Sequence, residues 1–209
     1  MSTATTLSVP AQQERKNRIL DAAERCFVCN GFHKSTMQDV AAECSMSPGN
    51  LYRYFPSKDA IVAGLTERDR DQFNRDFISL VDNPEPANAF IALGRRHLVE
   101  EPRSKAIMMM EIWAESCRNP RMAEISAEMD RSITECMTNF ISHWRMTEKT
   151  EGTGSPSEVA LLIIALADGL FRRRATDATF EPVSAFNLAL PIIFKMVGAP
   201  LPEWSEAVQ

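Results

Sequence analysis

Residues 35–58 read STMQDVAAECSMSPGNLYRYFPSK, and this stretch decides the fold. Met37, Val40, Ala41 and Cys44 recur at the i, i+3, i+4, i+7 spacing of one helix face. Ser35 or Thr36 stands where that helix needs a cap. Ser45-Met46-Ser47 is a turn. Ser47-Pro48 then restarts a helix, with Ser as cap and Pro at the first position, where a missing N–H costs nothing. The spacing predicts a very short helix, about Pro48 to Tyr54, because Phe55-Pro56-Ser57 interrupts it. Leu51 and Phe55 lie four apart and face the core, which leaves Asn50, Tyr52, Arg53 and Tyr54 for other faces. Two short helices joined by a three-residue turn are a helix-turn-helix candidate.

Outward from this stretch the periodicity stays helical. Residues 1–11 are rich in Ser, Thr and Ala and read as a disordered arm. Ile19, Ala22, Ala23, Cys26 and Phe27 trace a first helix that Asn30-Gly31 ends. Ser57 caps a helix running to about Leu80, and Asp82-Asn83-Pro84-Glu85-Pro86 closes that segment. A helix over about Ala87 to Glu100 follows, and Pro102 separates it from another that reaches Cys117. The stripe of the latter is Ala106, Met109, Met110, Trp113, Ala114 and Cys117, while Ile107, Met108 and Ile112 make it apolar nearly all round and therefore central. Met122, Ile125, Met129, Ile133, Cys136, Met137, Phe140 and Trp144 trace one long helix. After Gly152-Thr153-Gly154, Ser155-Pro156-Ser157-Glu158 is a capping box with Pro at its first position. The helix behind it ends near Arg172-Arg173-Arg174, cations that complement a helix C-terminus. A last helix spans about Pro182 to Val197, with Pro191 inside it. The fold class is all-α with about nine helices.

Composition bounds the function. The 209 residues are 44% hydrophobic and 24% charged, ordinary for a globular chain. No apolar run approaches the ~18 residues of a membrane helix, and the start lacks the pattern of a secretory signal, so a cytoplasmic protein with no membrane partner is expected. Five cysteines cannot close a disulfide framework, and the lone Cys26/Cys29 pair has no second pair to complete a zinc site. His33, His97 and His143 are scattered. HExxH, phosphate-cradling Gly loops and GxSxG are all missing. No catalytic residue, metal or cofactor is expected, and the chain does not read as an enzyme. The net charge is −5, yet residues 1–58 carry 7 Lys+Arg against 5 Asp+Glu. A slightly basic head on an acidic body suits a local phosphate contact.

The second short helix has the chemistry for such a contact. The two tyrosines of the chain, Tyr52 and Tyr54, both lie there. Tyr donates its hydroxyl to phosphate while its ring packs on sugar or a thymine methyl. Gly49 near the helix start lets another surface approach the backbone closely. Lys58 sits at a helix start, where the macrodipole disfavours a cation by roughly 0.3–1 kcal/mol, so an anionic partner would offset that placement. The competing readings are an aromatic corner with Lys58 solvated, and a helical small-molecule-binding protein with no DNA function.

Thr36-Met37-Gln38-Asp39-Val40-Ala41, Ser45-Met46-Ser47, Gly49-Asn50-Leu51-Tyr52-Arg53-Tyr54-Phe55 and Ser57-Lys58, taken as a set, resemble the DNA-binding signature of TetR/AcrR-type transcriptional regulators. The resemblance implies a helix-turn-helix domain over residues 12–57 and a helical ligand-binding and dimerisation domain over 58–209. It implies that Thr36, Tyr54 and Lys58 touch phosphate. Gln38, Ser47, Gly49, Asn50 and Tyr52 would read or crowd base edges, and Arg53 would do either. The turn departs from the family where Ser45 replaces the common Gly. A left-handed backbone at Ser45 would cost about 1 kcal/mol.

What the resemblance implies further is a homodimer on an inverted-repeat duplex DNA operator, since a lone helix-turn-helix gives few contacts. Its surface would come from the last two helices, through Leu162, Ile163, Leu166 and Leu170 on one and Phe186, Leu190, Ile193 and Phe194 on the other; both stripes can equally be intramolecular core. A small-molecule effector of unknown identity would sit among Phe90, Met109, Met110, Glu111, Trp113, Phe140 and Asp168, Met giving a soft lining. Residues 111–120 are faintly similar to the choline-responsive branch of the family. The helix from Lys58 to Leu80 would carry the effector signal to the reading head, most simply releasing a repressor from DNA.

Overall fold

The computed structural model describes residues 9–81 and 83–202, and among them the periodicity becomes nine α-helices and one π-helical turn, with no strand. Residues 1–8 of the expected arm, and Asp82 of the expected loop, lie outside the described residues; Val9 already belongs to a helix. The chain forms two compact units. One comprises the chain through Arg68 together with Glu111–Ser126; the other comprises Asp69–Met110 and the chain from Ala127 onward. The first unit thus takes in more than residues 12–57, adding the start of α4 and the junction of α6 with α7.

In the first unit α1 (Val9–Asn30), α2 (Met37–Glu43), α3 (Pro48–Tyr52) and the beginning of α4 (Lys58–Val81) enclose Ile19, Ala22, Ala23, Phe27, Val40, Leu51, Phe55, Ile61 and Val62, all buried. The end of α6 (Arg103–Ser116) and the start of α7 (Pro120–Glu148) add Ile112, Met122 and Ile125. Gly64 lets α4 come close, since a Cβ there would stand 2.9 Å from the Phe55 ring and 3.1 Å from Leu20. Arg68 reaches from α4 to Asp21 and Glu24 of α1, at 2.5 and 2.8 Å.

In α6 the structure inverts part of the expected stripe. Ala106, Met108 and Ile112 are buried, Met109, Met110 and Trp113 are half-buried, and Ala114 and Cys117 are exposed. On a helix apolar nearly all round, periodicity does not select a face. The cysteines are all free; Cys26 and Cys44 are core, whereas Cys117 is exposed and Cys136 half-buried.

The second unit is built on aromatic rings. Phe90 of α5 (Pro86–Arg95) stacks on Phe140 of α7 with centroids 5.5 Å apart. Trp144 meets Phe194 of α9 (Pro182–Val197) edge-on at 5.5 Å. Val159, Ala160 and Ile163 of α8 (Pro156–Thr176) complete this core. The capping box at Ser155 forms as its sequence predicts, with Glu158 bonding back to the Ser155 N–H at 2.7 Å.

Between α5 and α6 the helix widens into the π-helical turn Arg96–Glu100. Glu101 turns the chain out of the helix at ψ 141°, so the Leu98 carbonyl meets no amide of its own helix. The Arg174 guanidinium supplies the donor instead, at 2.9 Å, and also bonds the Glu101 carbonyl. Arg174 is accordingly buried. This corrects the expectation that all three arginines at 172–174 are dipole-facing surface cations. The α8 C-terminus is instead met by Arg103, whose guanidinium donates to the carbonyls of Arg174 and Ala175 at 2.9 and 2.8 Å.

Candidate nucleic-acid interface

The N-terminus of α2 is fixed by Thr36 and Asp39. The Thr36 Oγ1 accepts from the Asp39 N–H at 3.2 Å, and the Thr36 hydroxyl and N–H both donate to the Asp39 carboxylate at 2.8 Å. Those bonds hold the Asp39 carboxyl below the usual aspartate range. Gln38, next to this cap, is exposed.

The turn after α2 is a Schellman motif: Met46 N–H bonds the Ala41 carbonyl at 2.8 Å and Ser45 N–H the Ala42 carbonyl at 3.0 Å. Ser45 takes φ 56°, the left-handed conformation its position demands. Ser47 caps α3, accepting from the Asn50 N–H at 3.4 Å, with Pro48 at the first helical position.

α3 is pinned from below and open above. Leu51 and Phe55 are buried, whereas Ser47, Gly49 and Arg53 are exposed, Asn50 and Tyr54 half-buried, and Tyr52 46% exposed. A Cβ at Gly49 would meet nothing within 4 Å. The protomer's own packing therefore gives no reason for glycine there; a close approach from outside would.

Lys58 has partners within the protein. Its Nζ donates to the carbonyls of Phe32 at 2.6 Å, Ser35 at 3.1 Å and His33 at 3.4 Å, and lies 4.3 Å from the centre of the Phe32 ring. An ammonium has three donors, and the α1–α2 loop takes all three. The cation's unfavourable place at a helix start is thus offset inside the protein by a loop clasp, a role for Lys58 beside the phosphate contact that the family resemblance implies.

Of the seven expected effector residues, Phe90, Met109, Met110, Phe140 and Asp168 belong to the second unit. Phe90 and Phe140 are stacked core, Met109 and Met110 are half-buried, and Asp168 is exposed, its carboxyl pushed up by desolvation and by nearby Asp130. Glu111 and Trp113 belong to the first unit. There the Glu111 carboxylate accepts the Phe32 N–H, a role the sequence gave no sign of. No group of three or more His, Cys, Asp or Glu among the described residues is arranged to hold a metal ion. No helix among them is long and apolar enough to cross a membrane.

The expected dimer stripes also divide. Phe186, Leu190, Ile193 and Phe194 are buried in the protomer, as is Ile163, and Leu170 is half-buried. Leu162 and Leu166 face out, joined by Leu161 on α8 and by Leu188 and Ile192 on α9, the last two 75% and 56% exposed. The α9 stripe named from sequence is thus core, and the apolar face left open is a different one. A helix with apolar residues on two faces does not tell which is spoken for.

A profile of bacterial regulatory proteins of the tetR family matches residues 19–65, and one of the C-terminal region of BetI-type transcriptional repressors matches residues 91–190. The transcriptional regulator UidR of Escherichia coli K12 is 28% identical over 144 residues, covering 69% of this chain and 71% of that protein. Among solved structures, Salmonella enterica GusR superposes with a TM-score of 0.73 at 24% identity, covering 92% of this chain and 98% of that one. A Saccharomonospora viridis regulator in complex with choline has a TM-score of 0.71 at 23% identity, covering 87% and 96% of the two chains.

Proposed function

This chain belongs to the tetR family of bacterial transcriptional regulators, and on that premise we propose that it is a cytoplasmic, effector-released repressor that binds an inverted-repeat operator as a homodimer. The observation that carries the DNA reading is α3, with Leu51 and Phe55 buried beneath it and an unobstructed Gly49 and exposed Tyr52 above. In this reading Gln38, Ser47, Asn50 and Tyr52 meet base edges, Gly49 admits the duplex, and Thr36, Tyr54 and Arg53 meet phosphate or sugar.

Two copies pair through Leu161, Leu162 and Leu166 of α8 and Leu188 and Ile192 of α9. Gly169 supports this placement. A mid-helix glycine costs about 1 kcal/mol relative to Ala, and a Cβ there would meet nothing within 4 Å of its own protomer. A partner helix crossing there would use the space. The effector binds within residues 91–190, the segment similar to BetI-type repressors, and choline-like cations are a first class to screen because a structural neighbour holds choline. α4, continuous from Lys58 to Val81, carries the signal to the head. A coupling of 1–3 kcal/mol corresponds to roughly 5–150-fold in operator affinity.

The test is selection of duplexes from a random pool, with mass by light scattering. The expected result is an inverted repeat with half-sites about one helical turn apart and a dimeric mass that Leu188→Glu with Ile192→Glu reduces to a monomer. Failure to enrich any duplex would overturn the DNA reading, and a monomeric wild type the dimer.

A further inference from the structure

The end of α1 is finished by a residue that lies 79 positions away. Gly31 takes φ 84° and its N–H bonds the Phe27 carbonyl at 3.0 Å, a single left-handed cap. That motif leaves the next N–H, on Phe32, without a partner in the helix. At the end of α2 the corresponding N–H, on Met46, returns to the helix's own Ala41 carbonyl. At α1 the N–H of Phe32 goes instead to the carboxylate of Glu111, on α6. A Cβ at Gly31 would stand 3.1 Å from Glu111 Oε1, so the glycine also makes room for the carboxylate.

Two neighbours of Glu111 hold the same region. Glu115, one turn on, lies 3.6 Å from His33, and Asn119 donates to Asp59 of α4 at 3.1 Å. The Lys58 ammonium clasps the carbonyls of the same loop. That loop leads directly into α2 and the reading head. Glu111 lies on a helix continuous from Arg103 to Ser116.

Building on the dimeric DNA reading above, we infer that Glu111 is a positioning residue for operator binding: its bond to Phe32 fixes how the helix-turn-helix is presented. Fixing presentation affects a palindrome, which two heads must meet together, more than a single half-site, which one head meets alone.

The test compares wild type, Glu111→Ala and Glu111→Gln on the selected duplex with both half-sites intact and with one scrambled. The glutamine carbonyl can still accept the Phe32 N–H. E111A is expected to lose about tenfold of the full-site over half-site preference, the size of a charge-assisted hydrogen bond, with half-site affinity unchanged, and E111Q to restore most of it. An unchanged ratio in E111A, or an equal loss on both duplexes, overturns the inference; the second outcome would mean the bond merely keeps the head folded. If E111A does not fold, Glu115→Ala removes the weaker tie and is expected to lower the ratio about threefold, an unchanged ratio again overturning it. A wild type with no preference for the full site overturns instead the dimeric reading on which the inference rests.

Discussion

Replacing Lys58 by Met separates two accounts of one cation. Met keeps the unbranched stem against Phe32 and removes the three donors. Two strong carbonyl bonds are lost, at 2.6 and 3.1 Å, and a long third at 3.4 Å. Hydrogen bonds to charged groups contribute roughly 1.5–3 kcal/mol, and a cation over an aromatic ring about 0.5–1 kcal/mol. Part of this is returned because Lys58 is only half-buried and water reaches the carbonyls that remain. A net loss of about 2 kcal/mol follows, which for a chain of this size lowers Tm by about 4–8 °C. The assay is thermal unfolding by circular dichroism, run beside DNA binding over a salt series. The clasp predicts the Tm loss with a salt slope equal to wild type once binding is measured well below Tm. A phosphate contact predicts the reverse, an unchanged Tm with the slope shallower by about 1. That second pattern would refute the clasp.

Other outcomes follow from the same geometry. Ser45→Gly relieves the left-handed backbone at φ 56° and should raise stability by about 1 kcal/mol, or Tm by about 2–4 °C; a lower Tm would show that the Ser45 side chain contributes something its backbone does not reveal. Gly49→Val, at a site with nothing within 4 Å, should leave the unfolding free energy within about 1 kcal/mol of wild type while reducing operator affinity more than tenfold; retained affinity would remove α3 from the groove. His97 is held below the usual histidine range by desolvation and by Arg96, against the opposing pull of Asp76 and Glu101. The unfolded chain therefore takes up this proton first, so stability is full above about pH 6.5 and falls as pH drops toward the folded value. His97→Phe should flatten the decline of Tm between pH 7 and 5, and an equally steep decline in the variant would assign it to other groups.

Local chemistry explains what the sequence made legible. The stripe Ile19, Ala22, Ala23, Cys26 and Phe27 is buried as its spacing requires, and the caps at Ser47 and Ser155 form where Pro follows Ser. Each of these depends on residues within two turns of one another. The bonds of Lys58, Arg174 and Glu111 are not legible in the sequence because their partners lie 23 or more positions away. Their side chains satisfy backbone groups that a turn or a helix end leaves open, and sequence does not announce which distant cation or carboxylate will arrive. The open face of α9 escaped for another reason. Leu188 and Ile192 are as apolar as Phe186 and Leu190, so hydropathy marks both faces and only packing separates them.

The end of the π-helical turn ties two distant positions together. Glu101 turns the chain out of the helix at ψ 141°, so the last carbonyls of the turn meet no amide of their own helix. The guanidinium from α8 takes the Leu98 carbonyl, and with it that of Glu101. A change at 174 alone therefore strands acceptors 76 and 73 positions away along the polypeptide.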